Sequence, residues 1–73
     1  MDNEKMDKLM ETAREIVSNS GVGVSYRELL AELVYEKHVS SWEAERTIES
    51  LMLRGDLRYN TEFFLVVAVK KAS

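Results

Sequence analysis

Apolar positions recur at helical spacing along the first quarter of the chain. Met6, Leu9, Met10, Ala13, Ile16 and Val17 fall at i, i+3, i+4, i+7, i+10 and i+11 and line one face of a helix over residues 3–18. Asp2 is placed to cap that helix, and Ser18-Asn19-Ser20-Gly21 supplies turn formers that stop it. Gly21-Val22-Gly23-Val24 has room for a connector or one short strand at Val22–Val24. A second helix over residues 26–36 buries Leu29, Leu30, Leu33 and Val34. Its start is marked by a Ser-x-x-Glu capping box, Ser25-Tyr26-Arg27-Glu28, with Val24 and Leu29 placed as a hydrophobic staple. Lys37-His38-Val39 is a tight turn, with His38 read as a solvated turn residue or, alternatively, a phosphate or partner contact. A third helix over residues 41–54 opens on a second capping box, Ser40-Ser41-Trp42-Glu43, and turns Ala44, Ile48 and Leu51 inward. Gly55 follows where a helix exits through a left-handed residue.

From Leu57 the period changes. Arg58-Tyr59-Asn60-Thr61-Glu62 reads as a turn, and Phe63 to Val69 as a strand rich in aromatic and β-branched residues. The two make a hairpin over residues 57–69. Phe63, Leu65, Val67 and Val69 point one way along this strand, and Phe64, Val66 and Ala68 the other. Both rows are apolar. One covers the core; the other, assigned as the outer row of Phe64 and Val66, can lie in part against the first helix and otherwise is left for a partner or a second copy. Lys70-Lys71-Ala72-Ser73 reads as a frayed tail.

Two short helices joined by a tight turn, two matched caps and the segment I-x-x-L-x-x-x-G-x-L from Ile48 to Leu57 resemble a winged helix-turn-helix domain. The resemblance spans about residues 3 to 69. It implies an α+β fold of three helices followed by a short C-terminal β-hairpin wing, in a single domain over residues 1–73. Compact winged helices of this size occur in archaeal and viral proteins, often as dimeric regulators, so the resemblance implies DNA binding and transcription regulation.

Charge pulls against that implication. The 73 residues carry a net charge of −3, whereas a nucleic-acid footprint is usually a basic face. Residues 1–19 hold five acids and three bases, and residues 56–71 are the one positive segment, with two acids and three bases. With no cysteine, disulfides and thiolate metal sites are excluded, and one histidine builds no metal site alone. No Ser/His/Asp set, metal-ligand spacing or phosphate-loop glycine pattern is present, so neither an enzyme nor a cofactor is expected. No apolar run approaches the roughly 20 residues of a membrane span, and MDNEKMDKLM lacks a signal-peptide apolar core. The expectation is a soluble cytoplasmic protein with no small-molecule substrate.

The third helix has an outward stripe of Trp42, Arg46, Glu49 and Leu53. In a helix-turn-helix protein this face enters the major groove. On the DNA-binding reading Ser40, Ser41, Trp42 and Arg46 face double-stranded DNA; Ser25, Arg27, Lys37 and Arg58 touch phosphates; and Asn60 and Thr61 form the wing tip. On the alternative reading, a small accessory subunit of a nucleic-acid-processing complex, Trp42, Leu53, Met52, Phe64 and Val66 dock a protein partner. Glu43, Glu45 and Glu49 favour the second reading, because carboxylates are repelled by phosphate. A structural explanation of the two large apolar residues is also open: Trp42 folds back on the second helix, and the wing covers Leu53.

Overall fold

A computed structural model of the protein describes residues 3–69. Three helices, α1 (Asn3–Asn19), α2 (Tyr26–Lys37) and α3 (Ser41–Leu53), precede two strands, β1 (Leu57–Asn60) and β2 (Leu65–Ala68). The fold is therefore α+β. Asp2 and the tail from Lys70 to Ser73 lie outside the described residues.

Local chemistry sets the helix ends. The Ser25 hydroxyl accepts the Glu28 N–H at 3.1 Å, and the Ser40 hydroxyl accepts the Glu43 N–H at the same distance, so each helix has one otherwise unpaired amide satisfied. Val24 and Leu29, on either side of the first cap, are both buried, as a staple requires. α2 ends through His38, which adopts the left-handed conformation at φ 53°. α3 closes in a Schellman arrangement: the Gly55 N–H donates to Met52 O at 3.1 Å and the Asp56 N–H to Leu51 O at 2.9 Å. Gly55 supplies the required positive φ of 80°.

The helices bury one shared core. Leu9, Met10, Ala13 and Val17 of α1 meet Leu29 and Leu33 of α2, and Ala44, Ile48 and Leu51 of α3. Val39, in the turn between α2 and α3, joins them. Thr47 is buried as well, although it is polar; its hydroxyl donates to the Glu43 carbonyl at 2.9 Å and is thereby satisfied within its own helix. Asp56 is buried at the end of α3, with its carboxylate 3.6 Å from Arg54 Nε.

β1 and β2 pair antiparallel, Leu57 opposite Ala68 and Asn60 opposite Leu65. An isolated bridge adds a third member: the Val24 N–H donates to Val66 O at 3.0 Å, and the Val66 N–H donates to Val24 O at 2.6 Å. The stretch Val22–Val24 thus contributes a bridge and no strand of its own.

The hairpin corrects the sequence reading in three places. Arg58 and Tyr59 belong to β1, and the turn is Thr61–Phe64. Asn60 Oδ1 accepts the Glu62 N–H at 2.9 Å and the Phe63 N–H at 3.2 Å, and this side-chain clamp ends β1. Phe63 and Phe64 consequently sit in the turn and not in β2. Finally, Val66 is fully buried, not an outer-row residue, because its bridge to Val24 draws it into the core.

Candidate nucleic-acid or partner interface

α1 packs beside α3 and the α2–α3 turn, and two adjoining grooves run along its exposed edge. The first is lined by Glu4, Lys5, Lys8 and Leu9 of α1 with Lys37 and Val39. The second is lined by Lys5, Met6 and Leu9 of α1 with Trp42, Glu43 and Arg46 of α3. Lys5 and Leu9 border both, so the two form one continuous surface. Its rim holds Lys5, Lys8, Lys37 and Arg46 against Glu4 and Glu43, a local excess of positive charge on an acidic chain.

Trp42 stands at the first turn of α3 with 62% of its surface exposed. The Arg46 guanidinium lies over its ring, 5.0 Å from the centroid, a cation–π contact between residues one helical turn apart. The capping geometry of Ser40 therefore fixes where both side chains emerge. Trp42 borders α1 and not α2, and Leu53 is 89% exposed. Neither is covered in the way the structural alternative anticipates, because α2 packs on the other flank of α3 and the hairpin starts beyond it.

Glu43 does two jobs at this edge. Its carboxylate lies 3.1 Å from Lys5 Nζ, and it accepts the Ser40 hydroxyl proton at 3.4 Å. The hydrogen bond from Lys5, with its charge and the Ser40 donors, holds the Glu43 carboxyl below its ordinary value. The opposite flank of α3 is negative. Burial raises the Tyr26 phenol above its ordinary value, and the nearby charges of Glu45 and Glu49 raise it further.

The DNA-facing residues assigned from sequence fall into three places. Lys37, Trp42 and Arg46 share the α1–α3 surface, with Ser40 and Ser41 at the α3 start beside them. Ser25 and Arg27 sit at the start of α2; Ser25 is half-buried and occupied as the cap, and neither lines the grooves. Arg58, Asn60 and Thr61 share the hairpin end with Glu62, with Asn60 committed to holding the turn. Among the partner-facing residues, Met52 is half-buried against the core, while Phe64 is 68% exposed at φ 57°.

Lys5 and Lys8 are the residues that sequence reasoning missed. On α1 alone they read as solvated face, and only tertiary packing brings Lys5 beside Arg46 and Lys8 beside Lys37. Among the described residues no cluster of His, Cys, Asp and Glu is placed to hold a metal ion, and no helix is long and apolar enough to cross a membrane. Comparison of the chain with protein-family models, curated proteins and solved structures finds no match.

Proposed function

We propose that this chain is a DNA-binding winged helix whose contact surface is the start of α3 together with the basic grooves beside α1. The order of three helices and a hairpin, with the short Val24 bridge completing the sheet, supports the winged-helix reading. The observation that carries the function is the gathering of Lys5, Lys8, Lys37 and Arg46 from three helices onto one surface of a chain with net charge −3. Lys5 is paired with Glu43, and nothing in the core requires Lys8, Lys37 and Arg46 to gather around it; phosphate neutralisation is what such a surface supplies. A regulator or DNA-associated accessory factor is the role this reading gives.

The test is a salt series on mixed-sequence duplex DNA, with oligomeric state followed by light scattering. Binding that falls steeply with salt is expected. Lys8→Ala combined with Lys37→Ala should lower the slope of log affinity against log salt by about one for each phosphate no longer neutralised. Arg46→Ala should weaken binding by about 1–3 kcal/mol if the guanidinium reads a base. An unchanged slope in the double variant would refute the surface.

A second reading, a protein-interaction winged helix serving as a small accessory subunit, is supported by Leu53 at 89% exposure and by the Phe63 and Phe64 side chains at the hairpin turn. Such exposed apolar groups are frequent anchors once a partner covers them. Absence of DNA binding at low salt would favour it.

A further inference from the structure

We infer that Trp42 is a stacking platform for an unpaired base, so that the DNA held on the α1–α3 surface is single-stranded, or a single-stranded extension of a duplex. The inference rests on the nucleic-acid reading above and narrows its substrate.

Three observations carry it. The first is the ring itself: an indole 62% exposed, held from one side by the Arg46 guanidinium. In intact duplex the base faces are stacked on one another and the grooves present only base edges, so a broad aromatic face has little to meet there. An unpaired base offers its π-face, and exposed aromatics beside cations are how single strands are held. The second is the floor of the groove that the ring borders. Met6 and Leu9 are apolar and Lys5 stands at the rim, which suits a base lying flat with its phosphate outward. The adjoining groove, with Lys8 and Lys37, continues the cationic track along the strand.

The third is the division of charge across α3. Arg46 and Lys5 border the α1 groove together with Glu43, while Glu45 and Glu49 come near Tyr26. A helix inserted into a major groove has phosphates on both flanks, and here one flank is acidic. A single strand running between α1 and α3 meets Lys5 and Arg46, with Glu43, itself paired to Lys5, the carboxylate in that groove.

Trp42 is the one tryptophan in the chain, so its own emission reports stacking directly. The experiment titrates the protein at low salt with a dT oligonucleotide, a blunt mixed-sequence duplex and the same duplex carrying a single-stranded overhang. Emission is read in parallel with the anisotropy of labelled DNA. Quenching is expected with the oligonucleotide and the overhang, together with tighter binding of both than of the blunt duplex. Trp42→Phe, which keeps a π-face, should retain most of the affinity. Trp42→Ala should weaken single-strand binding by roughly 5- to 150-fold, the range of one base–aromatic stack. Because Trp42 is exposed, thermal unfolding of both variants should match the parent, which separates a binding defect from a folding one. If the blunt duplex binds as tightly as the overhang and leaves the emission unchanged, the stacking inference is overturned while DNA binding stands. If none of the three DNAs binds, both fall.

Discussion

Substituting Gly23 with alanine tests the joint that ties the helices to the hairpin. Gly23 sits at φ +116°, a conformation that side chains rarely adopt, and a Cβ there would lie 2.7 Å from the Val66 carbonyl oxygen and 2.9 Å from Val67 Cγ1. Val67 is half-buried at its edge of the sheet and can rotate. The Val66 oxygen cannot move freely, because it accepts the Val24 N–H. The backbone conformation costs about 1–3 kcal/mol. Relieving the clash opens the Val24–Val66 bridge, and two net hydrogen bonds at about 0.5–1.5 kcal/mol each go with it. A total of about 2–6 kcal/mol, centred near 4, is a large share of the roughly 4–11 kcal/mol that a chain of this length holds in reserve. Gly55→Ala is the control. It too has a positive φ, +80°, but its Cβ would meet nothing within 4 Å, so only the backbone cost of about 1–2 kcal/mol applies. Thermal unfolding followed by circular dichroism should then show Gly55→Ala lowering Tm by about 4–16 °C, and Gly23→Ala by well over 12 °C, or failing to fold cooperatively. Equal losses in the two variants would refute the reasoning, since they would mean that the bridge adds nothing to the cost at Gly23.

Two further substitutions give effects of opposite character. Glu43→Gln keeps a residue able to cap α3 but removes the carboxylate beside Lys5, so DNA affinity should rise a few-fold at low salt, with the gain shrinking as salt screens it. The Glu43 carboxyl is held below its ordinary value, so its stabilisation is present at neutral pH and lost as pH falls through the lowered value; the Gln variant should have a flatter acid limb in a pH series of urea midpoints. Phe64→Asn should stabilise the protein by about 1 kcal/mol, because Phe64 holds φ 57° while largely exposed and asparagine tolerates the left-handed region. A lower Tm would show that the ring supports the turn.

The helices were legible because their information is local. Two Ser-x-x-Glu boxes, a glycine exit and apolar residues at i, i+3 and i+4 each act within a turn or two of chain, and the caps and buried faces follow them. The hairpin was less legible for a physical reason. With both rows from Phe63 to Val69 apolar, alternation cannot say which faces the core; the Val24 bridge, from more than forty residues upstream, decides it. The turn was misplaced because Asn60 acts through its side chain on the residues after it, so the turn follows the asparagine instead of centring on it.

The candidate surface shows the same division between local and distant information, and here it changes the functional argument. Summed by segment, α3 with Arg54 has three acids and two bases, and α1 has four acids and three bases. Neither total suggests a place for phosphate. Binding, however, responds to the field at a surface and not to the net charge of a segment. Packing brings Lys5 to the Arg46 edge of α3 and Lys8 beside Lys37, and leaves Glu45 and Glu49 nearer Tyr26. The Lys5–Glu43 pair lies within the groove that Trp42 and Arg46 border, at the capped start of α3. One helix therefore directs Glu45 and Glu49 toward Tyr26 and, along the α1 groove, presents Arg46 and an exposed aromatic ring beside the Lys5–Glu43 pair. Reversing Lys8 and Lys37 to glutamate should abolish DNA binding while leaving unfolding unchanged, because both side chains are exposed and neither is part of the core. Reversing Glu45 and Glu49 to lysine should strengthen duplex binding far more than single-strand binding, because only a duplex straddling α3 reaches that flank. Equal gains for both DNAs would mean that the strand crosses α3 and does not run beside it.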